Sequence, residues 1–241
     1  MKNKVDKKVA LITGGSRGIG RAIVEALLEE GWVVRFCSRS IDSVETAVQE
    51  LAENYPGRVD GRATDVRSEA EIQSLVEWTL ESSGRLDCLV NNAGIGVFGP
   101  VDEITGDEWR EVLETNLSGA FYATRAVAPI MKRQGSGWIL NIASLAGKNP
   151  FAGGSAYNAS KFGMVGLSEA SMLDLRHHGI RVAAILPGSV RTEFSHPSAR
   201  PSDNWRLAPD DVARVVVNLL GYPDRALPSL VEIRPSQPPK K

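Results

Sequence analysis

The chain alternates short, β-branched apolar runs with longer stretches whose apolar positions recur every three or four residues. The short runs are Val9 to Ile12, Val33 to Cys37, Val59 to Val66, Leu86 to Val90, Trp138 to Ile142, Ile180 to Leu186 and Leu230 to Ile233. Near-continuous apolar runs of this kind mark strands covered on both faces, the condition of a parallel sheet flanked by helices. Between them, Ile19 to Glu30, Glu69 to Ser82, Asp107 to Lys132 and Ser155 to His178 carry the helical period. Gly31 and Gly179 stand where a left-handed C-terminal cap belongs, and Pro209 before Asp210 and Asp211 suits the first turn of a helix. The pattern predicts an α/β fold whose parallel sheet of about seven strands carries helices on both faces.

No internal repeat or linker divides the chain, and 241 residues can share a single core. One domain is expected over residues 1–234, followed by a disordered Pro/Lys tail from Pro235 to Lys241. Ser189 to Leu207 is polar, with two prolines and no clear period, and reads either as a lid or binding loop or as an inert surface loop.

Charge narrows the partners. Lys and Arg number 28 against 29 Asp and Glu, without long blocks of one sign, so neither a nucleic-acid nor a membrane footprint is visible and a small molecule is the expected partner. Val9 to Ile12 is too short for a signal core or a membrane span, and a cytoplasmic location is expected. Cys37 and Cys88 fall in strand-like runs and read as buried free thiols. No Cys/His cluster has metal-ligand spacing, so no metal site is expected.

The first strand runs directly into Thr13-Gly14-Gly15-Ser16-Arg17-Gly18-Ile19-Gly20, after which a helix begins. Gly14 lets the chain turn, Gly18 lets backbone approach a pyrophosphate, and Gly20 lets the helix pack on the strand, while the helix N-terminus offers N–H groups to phosphate. NAD-specific sites place an acid at the end of the second strand. This chain has Ser38-Arg39 there, with Arg17 in the glycine loop. Either arginine alone can be a solvated surface residue; together, and with the acid missing, they favour the 2′-phosphate of NADP(H). Asp65, after the third strand, can accept a hydrogen bond from an adenine amino group, although a turn residue there needs no function.

Tyr157 and Lys161 lie four apart in a helical pattern, on one face and one turn from each other. A phenol with a pKa near 10 is a poor base at neutral pH. A cation about 4 Å away, in an effective dielectric of about 20, is worth roughly 4 kcal/mol and can bring that pKa down by about two or three. Desolvation opposes part of this effect. Ser144 closes the Trp138 to Ile142 strand, at the end where open parallel sheets bind ligands, and can orient a substrate oxygen. Asn116 sits within an apolar helical pattern, either as a satisfied core amide or as the holder of a water that links Lys161 to solvent.

From Val9 to about Leu219 the chain resembles the short-chain dehydrogenase/reductase family. The motifs that match are the glycine loop, Asp65, Asn91-Asn92-Ala93-Gly94, the tetrad Asn116, Ser144, Tyr157 and Lys161, and Pro187-Gly188 followed by Thr192. The resemblance implies a Rossmann-type doubly wound sheet, direct hydride transfer without metal, and a homodimer or homotetramer packed through long helices. It places catalysis on the tetrad. It places cofactor contacts at Gly14, Ser16, Arg17, Gly18, Ile19, Gly20, Ser38, Arg39, Asp65, Val66, Asn91, Ala93, Gly94, Tyr157, Lys161, Pro187, Gly188, Val190 and Thr192. Ala156, Ala159, Gly163 and Gly166 permit close helix packing, between subunits or within one. Many members related to 3-oxoacyl-[acyl carrier protein] reductase end in a glycine-rich Asp-Gly-Gly strand; here Leu227 to Arg234 stands instead, which weighs against a tetramer and an acyl-carrier substrate.

The expected activity is NADP-dependent hydride transfer between nicotinamide and a carbonyl or secondary alcohol. The alternative is a non-catalytic protein of the same fold that senses NADPH, for which the Tyr157/Lys161 pair has no physical need. An extended-type sugar-nucleotide enzyme needs a larger C-terminal region than this chain has. Phe98, Phe151, Phe194 and Trp205 are candidates to line a substrate pocket, or to pack locally.

Overall fold

The computed structural model describes residues 7–192 and 204–239. Seven parallel strands, β1 (Val9–Thr13), β2 (Val33–Ser38), β3 (Val59–Ala63), β4 (Cys88–Asn91), β5 (Gly137–Ile142), β6 (Ile180–Pro187) and β7 (Leu230–Ile233), form one sheet in the order 3-2-1-4-5-6-7. This is the Rossmann-like doubly wound arrangement. The strand order reverses between β1 and β4, which opens a crevice at the carboxyl ends of those strands.

Alternation along each strand divides the core into two layers. Ala10 and Ile12 face α1 (Gly18–Glu29), α2 (Ile41–Asn54) and α7 (Pro209–Leu220), where Ile23, Leu27, Val44, Leu51, Val212 and Val216 are buried. Val9 and Leu11 face the opposite layer, built by α3 (Glu69–Ser83), α5 (Gly119–Gln134) and α6 (Ser155–Leu175). Between β4 and α5 lies α4 (Gly106–Leu113), closed at its start by a capping box of Thr105 and Glu108.

The structure differs from the pattern-based expectations in four places. The expected helices do not include α2, whose buried positions are only Val44, Ala47 and Leu51 but whose Ser40 caps the first turn by accepting from Ser43 N. Strand β3 stops at Ala63, the last residue to pair with β2, so Thr64 to Val66 form the turn beyond it. The single helix expected over Asp107 to Lys132 is interrupted by a π-helical turn at Glu114–Ser118. The helix expected to reach His178 gives way at Arg176 to a 3₁₀ turn, ended by Gly179 at φ 75°.

Four buried polar side chains stitch the second layer to the sheet. Asn91 Nδ2 donates to Asn141 Oδ1 at 2.8 Å and to Thr124 Oγ1 at 3.2 Å, and Asn141 Nδ2 donates to Ser168 Oγ at 2.8 Å. Each donor would cost stability if left unpaired in this apolar setting. The last strand departs from the glycine-rich form in sequence yet is built into the sheet, with Ala184 to Pro187 paired to Leu230 to Ile233. Glu232 is clasped by Lys148 at 2.6 Å and Arg234 at 2.6 Å. Residues 235–239 carry no helix or strand, and Pro235 lies against Gly188. The expected loop of Ser189 to Leu207 lies partly outside the described residues, as do Phe194 and the final Lys240 and Lys241.

Candidate active site

A cleft of about 720 Å³ opens along the carboxyl ends of the strands, with the glycine loop at one side and Tyr157 at the other. Thr13 and Asn92 fasten its base: Thr13 Oγ1 accepts from the backbone N of Asn92 and of Ala93, each at 3.1 Å, while Asn92 Nδ2 donates to the carbonyls of Thr13 and Gly14. A β-carbon at Gly20 would lie 2.0 Å from the Gly14 carbonyl oxygen, so only glycine lets α1 begin this close to the loop. Arg17 stands at the N-cap of α1 without a side-chain capping bond, and the first turn holds no acid. Ser16, Arg17, Gly18 and Ile19 line the cleft there. An uncapped helix start facing a cleft is an anion site by construction, so the residues present fit a dinucleotide pyrophosphate.

The far end of this half is charged. Arg67 binds Asp65 in a fork, with Nη2 2.5 Å from Oδ2 and Nε 3.0 Å from each carboxylate oxygen. These hydrogen bonds hold the Asp65 carboxyl below its ordinary pKa, against the opposing effect of burial. Asp65 therefore stays an acceptor across the physiological range. Arg39, largely exposed, lines the same end of the cleft together with Ser38.

At the other end, Ser144 follows β5 and its Oγ accepts from Ala146 N at 3.1 Å. A hydrogen bond joins Ser144 to the Tyr157 phenol. Lys161, one turn further along α6, is 5% exposed and donates from Nζ to the Ile142 carbonyl at 2.9 Å. Its Nζ lies 5.7 Å from the centre of the Tyr157 ring. Burial pulls the Lys161 ammonium down to about 8. Burial also raises the Tyr157 phenol above its ordinary value, and the opposing influence is the Ser144 hydrogen bond. This corrects the expectation that the lysine charge lowers the phenol's pKa: in this geometry the ammonium is committed to Ile142, and desolvation prevails.

Of the two readings of Asn116 the structure shows the satisfied core amide, and it sets Asn91 away from the cleft. Asn116 is fully buried in the π-helical turn, with Nδ2 donating to the Ile95 carbonyl at 2.9 Å and to Ser160 Oγ at 3.0 Å, and Oδ1 accepting from Ile95 N at 2.8 Å. Both amide hydrogens are taken, so the side chain works as a brace between α6 and the Gly94-Ile95 backbone and does not line the cleft. Asn91, expected as a cofactor contact, is buried beneath the floor in the network with Asn141 and Thr124. The other expected contacts all line the cleft: Gly14, Ser16, Arg17, Gly18, Ile19 and Gly20 at the loop, Ser38, Arg39, Asp65 and Val66 beyond it, and Ala93, Gly94, Pro187, Gly188, Val190 and Thr192 toward Tyr157 and Lys161. Asn92, Ile95, Thr115 and Asn149 also line it and were not expected; for Asn92 and Thr115 the signal was adjacency to motif residues. Phe98 and Phe151 line the substrate end, whereas Trp205 does not and stacks under Arg206.

Both cysteines are buried free thiols, and burial lifts Cys37 to about 12. Among the described residues no group of His, Cys, Asp and Glu could hold a metal ion, and no helix is long and apolar enough to cross a membrane.

Comparison with known proteins agrees with this geometry. Residues 8–203 match the family model described as short chain dehydrogenase. A Streptomyces coelicolor protein that carries the provisional name ketoacyl reductase is 41% identical over 210 residues, 86% of this chain and 80% of that protein. A metagenomic short-chain oxidoreductase solved in complex with NADP is 36% identical, covering 96% of this chain and 98% of that one with a TM-score of 0.83. A single-residue variant of actinorhodin polyketide ketoreductase, solved with NADPH, is 34% identical over 95% of this chain and 97% of that one, with a TM-score of 0.87. The chain belongs to the short-chain dehydrogenase/reductase family. It is an oxidoreductase that moves a hydride between a nicotinamide cofactor and a carbonyl or alcohol carbon.

Proposed function

We propose that this protein is an NADP-dependent carbonyl reductase or alcohol dehydrogenase in which Tyr157 exchanges the proton. The carrying observation is the Ser144–Tyr157 hydrogen bond, which opens into the same cleft as the uncapped start of α1, with Lys161 buried directly behind it. Bound nicotinamide supplies the hydride and takes it back. Tyr157 gives its proton to the carbonyl oxygen in reduction and receives one from the alcohol in oxidation. Ser144 orients that oxygen and stabilises the charge that develops on it. Burial, which raises the phenol above its ordinary value, keeps Tyr157 in the protonated form that a reduction needs.

Lys161 braces the end of β5 and supplies the cation beside the nicotinamide ribose. Asn116 acts through Gly94 and Ile95, as a positioning residue. Arg17 and Arg39 support the 2′-phosphate reading, as do the NADP(H) complexes of the two related structures. A homodimer or homotetramer is supported by Trp109, Phe121 and Phe162, each exposed by between 39% and 45% on α4, α5 and α6. Of the small residues on α6, Ala156 is buried and Gly163 meets Leu117 within the subunit, which leaves Ala159 half-buried and Gly166 open. A cytoplasmic location fits a cofactor drawn from the cell interior.

The test is oxidation of NADPH followed at its absorbance band against a panel of ketones, quinones, 3-oxoacyl thioesters and ketosugars. Turnover that disappears in Tyr157→Phe supports the assignment. NADPH binding without turnover on any member would favour a sensing role.

A further inference from the structure

Phe98 and Phe151 are large apolar side chains left 49% and 47% exposed at the substrate end of the cleft. Their ring centres are 5.9 Å apart and lie 5.6 Å and 6.5 Å from that of Tyr157. Single exposed aromatics are ordinary, but these two flank the one ring that carries the reacting hydroxyl.

The pair is also built into the fold. The segment that carries Phe98 and the one that leads from Phe151 into α6 are joined by a parallel bridge, Gly99 to Gly154, in which Gly99 N donates to the Gly153 carbonyl at 2.8 Å. Asn158, on α6, donates from Nδ2 to the Phe151 carbonyl at 2.9 Å. The Phe151 ring lies so close over Gly154 that a β-carbon there would stand 2.6 Å from it. Backbone and ring are thus fixed together, which lowers the entropy lost when something packs against them.

Charge defines the complementary requirement. Among the described residues, the ionisable side chains lining the cleft besides Tyr157 and the buried Cys37 are Arg17, Arg39 and Asp65 at the nucleotide end and Lys161, which is bound to Ile142. Lys148, immediately before the Asn149-Pro150-Phe151 segment, is paired with Glu232. Among the described residues the one cation that lines the substrate end is Lys161, 5% exposed and already donating to Ile142, so a carboxylate or phosphate held against the two rings would be buried without a partner of its own, which is costly.

We propose that the protein reduces uncharged ketones whose carbonyl belongs to a flat ring system, held against Phe98 and Phe151 with its oxygen at Tyr157 and Ser144. This rests on the reading of Tyr157 as the proton donor of a carbonyl reductase. The carbonyl becomes a secondary alcohol: its carbon accepts the hydride that reduced nicotinamide gives up, and its oxygen takes the Tyr157 proton, which solvent restores. Offset aromatic contacts add about 0.5–1.5 kcal/mol beyond the area they bury, and a rigid ring loses less freedom on binding than an alkyl chain of equal size.

The experiment compares initial rates with saturating NADPH on 2-tetralone, 2-decanone, a carboxylated tetralone and propanal, in the unaltered protein and in Phe98→Ala, Phe98→Leu and Phe151→Ala. The expected result is a kcat/KM for 2-tetralone at least tenfold above those for 2-decanone and the carboxylated ring. Each alanine variant should raise the KM for 2-tetralone at least fivefold more than that for propanal, with Phe98→Leu between. NADPH affinity, measured in parallel, reports that the variants are folded. Reduction of propanal with 2-decanone or the carboxylated ring as the better ketone overturns the ring-ketone claim and leaves the reductase reading standing. Failure to reduce any of the four overturns both.

Discussion

Glu111 on α4 accepts a hydrogen bond from Arg39 Nη1 at 3.4 Å, and the same carboxylate oxygen lies 3.8 Å from Arg67 Nη1. Since Arg67 grips Asp65, one carboxylate from a neighbouring helix connects the arginine expected at a 2′-phosphate to the acid expected at adenine. A phosphate arriving at Arg39 must compete with it.

Glu111→Gln is therefore expected to tighten NADPH by up to about fivefold, the limit that an exposed ion pair of about 0.2–1 kcal/mol allows, and to leave NADH nearly unchanged. Fluorescence titration of both reduced cofactors measures this. An equal change in the two affinities would show that Glu111 acts on the fold of α4 and not on the phosphate end.

Arg39→Ala tests the same end from the other side. NADPH should bind at least tenfold more tightly than NADH to the unaltered protein, a difference of about 1.4 kcal/mol, and the variant should lose most of that preference. Unchanged NADPH affinity would reduce Arg39 to a surface charge.

Tyr157→Phe keeps the ring against Phe98 but removes the exchangeable proton. Turnover should fall by about a hundredfold or more, the scale of general acid catalysis, with NADPH binding nearly intact. Wild-type rates on a confirmed substrate would refute the assignment.

Lys161 links chemistry to stability. Its ammonium is pulled down to about 8 by burial, so the folded state holds fewer protons than the unfolded state between that pH and the unfolded value near 10.4. The cost of the buried charge is full below pH 8 and fades as pH rises through this window. Lys161→Met should accordingly raise the melting temperature at pH 7 by a few degrees, with the gain shrinking toward pH 10. In the oxidative direction the unaltered enzyme should speed up as alkali deprotonates the phenol. A variant with unchanged rate and unchanged pH profile would remove Lys161 from the mechanism.

The parallel sheet of about seven strands, the glycine loop and the one-turn spacing of Tyr157 and Lys161 were legible because each rests on local pattern, whereas the strand order 3-2-1-4-5-6-7 comes from pairing between distant segments. What the sequence hid was direction. Asn116 looked like a residue on an ordinary helix face but sits in a π turn, bound to Ile95 and Ser160, and Asn91 points away from the cleft that its neighbours Asn92 and Ala93 line. The Lys161 ammonium could be placed one turn from Tyr157, but not its choice of the Ile142 carbonyl, which depends on a strand nineteen residues earlier. Glu111 carries no motif at all, since its meaning lies in two arginines contributed by other elements.

The reversal of strand order between β1 and β4 also separates the enzyme's inheritance into two parts. The glycine loop and the Arg39 end of the cleft come before Asn92, whereas Ser144, Tyr157 and Lys161, with Phe98 and Phe151, come after it. A lineage can therefore rewrite the loops around Phe98 and Phe151 and acquire a new substrate while the same coenzyme continues to bind.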